Sequence, residues 1–157
     1  MKKVKTNAVR ILDNNKIDYE IITYEVDPDN IDGISVANKL NQDLNIVFKT
    51  LLTYYNNSYY VFLIPVDREL DLKKCAKIVS CKSLELVHVK DLLKITGYIR
   101  GGCSPLGMKK VFPTYIDSSA KNLECIIFSG GKQGIQIKIN PLKLSKILNV
   151  KFNELVK

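Results

Sequence analysis

Histidine is nearly absent from this chain of 157 residues, which contains one, His88, together with four cysteines. Zinc sites of the HExxH type and centres with several histidine ligands need more than one histidine and are excluded. The cysteines lie at positions 75, 81, 103 and 125, which form no CxxC pair and no zinc-type spacing with His88. We therefore expect free thiols and no metal or cofactor. The apolar neighbours of His88 favour a structural histidine, and a Ser–His or Cys–His catalytic pair would have to use it.

Long apolar runs are also lacking. No stretch approaches the roughly 18 residues that a membrane helix needs. Residues 1–5 are followed by mixed sequence and not by the apolar stretch of a signal peptide. We expect a cytoplasmic protein without a membrane partner. The hydrophobic fraction of 46% allows a single domain over residues 1–157 to build a core without staples. The sequence has no heptad repeat that would indicate a coiled-coil dimer, so we expect a monomer.

Acidic residues are scarce in the second half of the chain. Residues 1–80 carry 11 Lys/Arg and 11 Asp/Glu, whereas residues 81–157 carry 13 and 5, so the net charge of +8 belongs to the second half. Such asymmetry favours a surface that binds phosphate. The alternative is that these lysines only solvate the surface.

Short helices and strands alternate along the sequence. Residues 46–55 and 59–64 are rich in β-branched and aromatic residues around the turn 56–58, which predicts an antiparallel hairpin. Caps at Thr6, Ser35 and Asp71 predict helices, as do residues 89–95 and Pro141. Further strands are predicted at 21–24, 84–87, 114–116, 125–128 and 135–139. This pattern predicts an α+β domain with a mixed sheet.

Two glycine-rich segments interrupt the second half, at residues 101–107 and 130–134. Either is an ordinary connection, or its glycines let a ligand approach the backbone. The second segment lacks the GxxxxGK[ST] pattern and the following helix of a nucleotide triphosphate loop. For the first we favour a pocket floor whose amides hold a carbonyl oxygen or oxyanion. Arg100 before it and Lys109 and Lys110 after it would give the rim positive charge.

Lys49 interrupts an otherwise apolar predicted strand. With a period of two, it shares a face with Val47 and Leu51. The side chain either reaches solvent or points into a cavity that holds an anionic partner. The sequence leaves both alternatives open.

Four motifs in order resemble the YbaK/EbsC family of free-standing aminoacyl-tRNA deacylases, relatives of the editing domain of bacterial prolyl-tRNA synthetases. The motifs are Phe48-Lys49-Thr50-Leu51-Leu52, Leu70-Asp71-Leu72-Lys73-Lys74, Ser104-Pro105-Leu106-Gly107 preceded by Gly101-Gly102, and Ser129-Gly130-Gly131-Lys132-Gln133-Gly134. The resemblance spans nearly the whole chain, from Tyr24 to Lys151-Phe152.

The resemblance implies a compact α+β domain with a barrel-like mixed sheet and short surrounding helices. It also implies hydrolysis of amino acids wrongly attached to tRNA, foremost Cys-tRNA(Pro). In the chemistry proposed for the family, the thiol of the substrate cysteine attacks its own ester. The alternatives are an Ala-tRNA(Pro) deacylase of the same fold and a non-catalytic module that binds tRNA or prolyl-tRNA synthetase. A transient complex with that synthetase is expected.

The resemblance also assigns residues. It implies catalytic roles for Lys49, Gly101 and Gly102, with Lys49 on the terminal phosphate or ribose oxygens and the glycine amides on the ester carbonyl. Residues expected to bind the substrate are Tyr24, Thr50, Cys103, Ser104, Pro105, Ser129, Gly130 and Gln136. Those expected to bind tRNA phosphates are Arg100, Lys109, Lys110 and Lys132.

Two positions depart from the family pattern. Gln136 stands where some relatives have Asp, and Cys103 stands where a branched apolar residue is common. Both could change which amino acid is accepted. Cys103 could also be a nucleophile, but it has no histidine support and no evident partner that would lower its pKa, which disfavours that role.

Overall fold

The computed structural model describes residues 5–157. The observation on residues 1–5 therefore lies almost wholly outside the described part of the chain. In chain order the elements are α1 (Asn7–Asn14), β1 (Glu20–Thr23), α2 (Gly33–Lys39), β2 (Phe48–Tyr55), β3 (Ser58–Pro65), α3 (Leu72–Ile78), β4 (Glu85–Leu86), α4 (Val89–Thr96), β5 (Thr114–Asp117), a 3-10 helix (Ser118–Asn122), β6 (Ile126–Ser129), β7 (Ile135–Ile139), α5 (Pro141–Leu144) and β8 (Val150–Asn153). Between residues 5 and 157, no helix is long and apolar enough to cross a membrane.

The strands form two sheets. One has the order β1-β7-β6 and the other the order β4-β2-β3-β5-β8. The larger sheet is mixed, because β3 pairs antiparallel with β2 and parallel with β5. The predicted α+β class and mixed sheet are thus confirmed. The expected barrel-like closure is corrected: within residues 5–157 the two sheets meet through one parallel bridge, Val47 to Ile127, and form no closed barrel.

The hairpin of β2 and β3 is the centre of the larger sheet. Its register pairs Tyr55 with Ser58, so the turn has two residues, and Asn56 adopts a φ of 54° there. Asparagine tolerates this left-handed conformation better than most residues. Both faces of β3 are covered, so successive side chains enter different cores.

The first core lies between the two sheets and includes Val61 and Leu63 of β3 together with α1. The second lies on the other face of the larger sheet, where Phe62 and Ile64 pack against Cys75 and Ala76 of α3. The period of two along β3 places alternate side chains in the two cores, and the face of α3 that carries Cys75 and Ala76 covers the second.

Helix caps explain where the helices begin. Thr6 accepts a hydrogen bond from the Val9 N–H, and Asp71 accepts one from the Lys74 N–H, as expected. The expected cap at Ser35 is wrong. Asp32 caps α2 by accepting from the Ser35 N–H at 3.1 Å, because a carboxylate three residues before an amide reaches it. Strand β8 has no counterpart in the elements predicted from sequence.

The buried carboxylate of Asp117 ties the larger sheet to the C-terminal segment. Its Oδ1 accepts from the Leu155 N–H at 3.0 Å, and its Oδ2 accepts from the Ser119 N–H at 3.2 Å. The residue is 4% exposed. Leu155 belongs to the second core, so this carboxylate satisfies a backbone donor that water cannot reach.

We predict that Asp117→Ala lowers the free energy of unfolding by about 2–3 kcal/mol, because two backbone donors lose a charged acceptor. Urea denaturation measures the change. The control is Glu124→Ala, which removes an exposed carboxylate from a nearby position in the sequence. Its free energy of unfolding should stay within about 0.5 kcal/mol of that of the parent. Equal stabilities of the two variants would contradict this role of Asp117.

Candidate active site

A cleft of about 400 Å³ opens where the two sheets diverge. The Val47–Ile127 bridge holds β2 beside β6, with the Ile127 N–H donating to the Ile46 carbonyl at 2.8 Å. Beyond this bridge the strands separate, and β4 begins to pair with β2 only at Thr53. The cleft therefore lies along an uncovered stretch of the β2 edge. The residues that line it are Tyr24, Ile31, Asp32, Gly33, Ile34, Val36, Val47, Phe48, Lys49, Thr50, Leu51, Val66, Arg100, Gly101, Cys103, Phe128, Ser129, Ile135 and Gln136.

Consecutive residues of β2 reach the cleft because it borders the edge of the strand and not one face. Lys49 and Thr50 point to opposite faces of the pleat, yet both line the cleft. The Val66 N–H donates to the Val47 carbonyl, and antiparallel pairs alternate, so Thr50 and Leu63 form a non-hydrogen-bonded pair. The backbone N–H and C=O of Thr50 consequently point away from β3, towards the uncovered edge.

Lys49 carries a half-buried ammonium in this cleft. Of the two alternatives for this side chain, the structure supports the cavity. Burial lowers the pKa of Lys49 below its usual value, and the carboxylates of Glu69 and Asp67 oppose this shift without cancelling it. Within residues 5–157, no carboxylate lies within salt-bridge distance of its Nζ. A partly desolvated cation without a partner favours an anionic or electron-rich ligand.

The hydroxyl of Thr50 lies next to this lysine in the chain and lacks a partner. Its Oγ1 is shielded from solvent and makes no hydrogen bond to any described residue. A buried hydroxyl without a partner costs free energy. Besides Lys49, Thr50 is thus a second residue of the cleft lining with a polar group that folding leaves unsatisfied.

The first glycine-rich segment brings Gly101 to the cleft. Gly101 lines the cleft with a φ of 82°, and its N–H donates to no acceptor in the described part of the chain. The Gly102 N–H instead donates to the Ile99 carbonyl at 3.0 Å. The expected role of the Gly102 amide on an ester carbonyl is corrected for this reason.

Packing explains why position 102 is glycine. A Cβ there would lie 3.1 Å from the Lys132 Cα and from the Gln133 backbone nitrogen. The two glycine-rich segments therefore pack backbone against backbone. Gln133 reinforces this contact, because its Nε2 donates to the Arg100 carbonyl at 2.9 Å.

Three further residues expected to bind the substrate do not line the cleft. Ser104 and Pro105 are buried, and Ser104 Oγ accepts from the Leu106 N–H in a local turn. Gly130 is also buried: its N–H donates to the Ile135 carbonyl and its carbonyl accepts from the Thr6 hydroxyl. Their hydrogen bonds hold the loops that frame the cleft.

The remaining expected residues do line it. Tyr24 continues β1, with its N–H on the Gly134 carbonyl, and Ser129 Oγ accepts from the Gly131 N–H. Gln136 is buried and exchanges hydrogen bonds with Gln42 of 2.7 and 3.3 Å. This amide pair gives one wall a neutral polar surface.

Cys103 is buried beside the cleft as a neutral thiol. Burial raises its pKa to about 11, and a hydrogen bond with Thr96 offsets only part of that rise. A thiol in this state is a poor nucleophile at neutral pH. His88 lies outside the cleft as the exposed N-cap residue of α4, so it supplies no base here.

The four basic residues do not share one rim. Arg100 lines the cleft, whereas Lys132 is exposed on the turn outside it. Lys109 and Lys110 line a second cleft instead. The expectation that Arg100, Lys109 and Lys110 share one rim is corrected, because the chain between Cys103 and Lys109 leads away from the first cleft.

Sequence reasoning missed the wall formed by Ile31, Asp32 and the start of α2. Asp32 faces the same cleft as Arg100, and hydrogen bonds from Ser35 are the main cause that lowers its pKa, with a smaller contribution from Arg100. The sequence did contain a signal for this wall, because Asp32 stands three residues before Ser35 and could cap the helix. The prediction of Ser35 as the cap left Asp32 out. No group of three His, Cys, Asp or Glu residues in the described chain could hold a metal ion.

The class of protein follows from comparison with known families. A model of the aminoacyl-tRNA editing domain matches residues 30–147, which include both glycine-rich segments and all of β2. The chain belongs to the aminoacyl-tRNA editing domain family.

Individual relatives narrow the comparison. The chain is 43% identical over 152 residues to the "Putative Cys-tRNA(Pro)/Cys-tRNA(Cys) deacylase EbsC" of Enterococcus faecalis, with 96% of this chain and 93% of that protein covered. It is 28% identical over 119 residues to a proline–tRNA ligase of Caldicellulosiruptor saccharolyticus, where it spans 20% of the ligase.

Solved structures agree on the fold. A crystal structure described as a "putative trans-editing enzyme for prolyl tRNA synthetase" superposes with a TM-score of 0.82 at 18% identity, covering 99% of both chains. A hypothetical protein superposes with a TM-score of 0.88 at 16% identity, covering 97% of this chain and all of that one.

We predict that Thr50→Val separates stability from ligand binding. Valine has the same shape but no hydroxyl, so stability should be unchanged or rise by up to about 1 kcal/mol, while activity should fall about tenfold or more. The matched control is Thr53→Val. Thr53 Oγ1 donates to the Tyr60 carbonyl at 3.0 Å, so that variant should lose about 1 kcal/mol and keep its activity. Urea denaturation and turnover measure both; an unstable Thr50→Val variant with full activity would refute this reading.

Proposed function

We propose that this protein hydrolyses mischarged aminoacyl-tRNA in trans, with Cys-tRNA(Pro) as its preferred substrate. The observation that carries the proposal is the half-buried Lys49 ammonium, which forms no salt bridge with any described residue, in a cleft where burial keeps Cys103 protonated. The next residue, Thr50, has a hydroxyl without a hydrogen-bond partner among residues 5–157. An aminoacyl ester is already reactive. The site needs to position it and stabilise charge, and it does not need a triad.

The roles follow from the groups in the cleft. Lys49 binds the terminal phosphate or ribose oxygens, and the free Gly101 N–H orients the ester carbonyl. Tyr24 contacts the terminal adenosine, as aromatic side chains commonly do with unpaired bases. Ser129 and Gln136 contact the amino acid. Arg100 adds positive charge at the mouth of the cleft.

The substrate thiol supplies the nucleophile. Its sulfur attacks the carbonyl carbon of its own ester, the bond from that carbon to the ribose oxygen breaks, and the proton from the thiol ends on the ribose oxygen. The products are free tRNA and a cysteine thiolactone, which water then opens. This chemistry suits a cleft in which Cys103 stays protonated and His88 is remote.

The relatives support this choice of substrate. The E. faecalis relative carries Cys-tRNA(Pro) and Cys-tRNA(Cys) in its name, and the similarity to part of proline–tRNA ligases is consistent with editing of that enzyme's errors. We extend the proposal to a monomer in the cytoplasm that associates transiently with prolyl-tRNA synthetase. Such a complex would supply the tRNA identity that a phosphate-directed surface cannot read.

We predict that the purified protein deacylates Cys-tRNA(Pro) much faster than Ala-tRNA(Pro), which has no side-chain nucleophile, and much faster than Ser-tRNA(Pro). Serine carries a hydroxyl where cysteine carries a thiol, and a hydroxyl is a far weaker nucleophile than a thiol at neutral pH. Release of the radiolabelled amino acid measures all three rates. Faster loss of alanine would indicate an alanine-specific enzyme, rapid loss of serine would exclude thiol attack, and loss of none would indicate a binding module.

We predict that Lys49→Met lowers the rate with Cys-tRNA(Pro) by about 100- to 1000-fold, the range typical of a lost transition-state donor. Stability should not fall, because burial disfavours the charged form and methionine removes that charge. Urea denaturation checks the fold. Lys77→Met, at an exposed position on α3, is the control and should retain the parent rate. A near-normal rate for Lys49→Met would exclude its central role.

A further inference from the structure

A second cleft of about 510 Å³ lies at the turn of the β2–β3 hairpin, beside the end of α4. The residues that line it are Asn57, Ser58, Tyr59, Tyr60, Lys94, Ile95, Lys109, Lys110, Phe112 and Pro113. None of them lines the first cleft. The proposed hydrolysis in the first cleft assigns no role to the second.

Three lysines give the second cleft an uncompensated positive charge. Lys94, Lys109 and Lys110 are exposed, and no carboxylate is among the lining residues. Within residues 5–157, none of the three forms a salt bridge. Lys109 Nζ donates to the Lys94 carbonyl at 3.3 Å, where the negative end of α4 holds it in place. Its remaining donors, and those of the other two lysines, are available to an anion.

An aromatic ring lines the same cleft as these charges. Tyr59 is half-buried, and its ring packs against Phe112 with ring centroids 5.4 Å apart at 54°. The Tyr59 ring is therefore held in a fixed orientation. Cations that follow a backbone beside aromatic faces are typical of surfaces that bind single-stranded nucleic acid, where phosphates meet lysines and bases stack on rings.

The chain limits how far apart the two clefts can be. Cys103 lines the first and Lys109 the second, and six residues span at most about 22 Å. A polynucleotide whose 3′ end lies in the first cleft can therefore reach the second within a few nucleotides.

We propose that the second cleft binds the ribose-phosphate backbone of the same tRNA whose aminoacylated 3′ end occupies the first cleft. Lys94, Lys109 and Lys110 neutralise phosphates, and an unpaired base stacks on the exposed part of the Tyr59 ring. The proposal rests on the proposed function for the identity of the RNA. It assigns affinity for the tRNA body to one site and chemistry to the other.

The test compares a full tRNA with its 3′ end alone. Substrates are Cys-tRNA(Pro) and the cysteinyl ester of adenosine, which has no phosphate and is too short to reach the second cleft, and the variant is Lys94→Glu/Lys110→Glu. The control Lys73→Glu/Lys77→Glu makes the same change of charge on exposed positions of α3. Urea denaturation confirms that both variants fold.

We predict that Lys94→Glu/Lys110→Glu lowers kcat/KM for Cys-tRNA(Pro) at least tenfold, through KM, and leaves hydrolysis of the adenosine ester unaffected. The control should match the parent with both substrates. The salt dependence of tRNA binding should weaken by about two units of slope, because each lost phosphate contact removes about one. Equal losses with both substrates, or no loss with either, would overturn the proposal.

Binding of uncharged tRNA separates this proposal from the proposed function. If the parent hydrolyses no ester, but the variant loses tRNA affinity measured by fluorescence anisotropy, the second cleft stands and the activity fails. If the parent hydrolyses Cys-tRNA(Pro) and the variant matches it in rate and in tRNA affinity, only the second cleft fails. Poly-L-glutamate serves as an acidic polypeptide probe: binding as tight as that of tRNA at the same ionic strength would overturn the assignment to RNA.

Discussion

The site depends on one contact between two sheets, the parallel bridge from Val47 to Ile127. Ile46 accepts from Ile127 on one side of the strand, while Val47 accepts from Val66 on the other, so this point of the chain is fixed in both sheets. After it the strands diverge, and β2 runs several residues without a neighbour on that edge. A strand edge without a partner leaves backbone and side-chain groups free, and here they face a cleft.

The chemistry of the cleft comes from groups that folding leaves unsatisfied. The pKa of Lys49 is lowered by burial, and the Thr50 hydroxyl has no hydrogen-bond partner among residues 5–157. Neither state stabilises the empty protein, since desolvated polar groups cost free energy until they are paired. Cys103 differs from these two residues, because burial raises the pKa of its thiol and so keeps the thiol neutral and unreactive. Under the proposed function, the substrate would pair with the polar groups of Lys49 and Thr50. The free energy that their desolvation costs would then be recovered on binding.

Residues of one glycine-rich segment have different structural roles, although they are adjacent in sequence. Gly101 adopts a positive φ and lines the cleft, whereas Gly102 packs against the backbone at Lys132 and Gln133. Ser104 and Pro105 stabilise the local turn. Adjacent residues of one motif thus divide between contact with a ligand and support of the loop. The basic residues divide in the same way between two clefts.

Local and periodic features were determined by the sequence. The β2–β3 hairpin, the cap at Asp71 and the alternation of β3 between two cores follow from turn chemistry, capping and period two, which act over a few residues. The motif around Lys49 also identified the strand that carries the site. Strand β8 could not be found this way, because it pairs with β5 at a distance of more than thirty residues in sequence. Only the tertiary structure decided that the sheets stay open, that Asp32 and α2 form a wall, and that Lys109 and Lys110 lie in a second cleft. Each of these depends on where distant segments pack, which is set by long-range burial that no local pattern encodes.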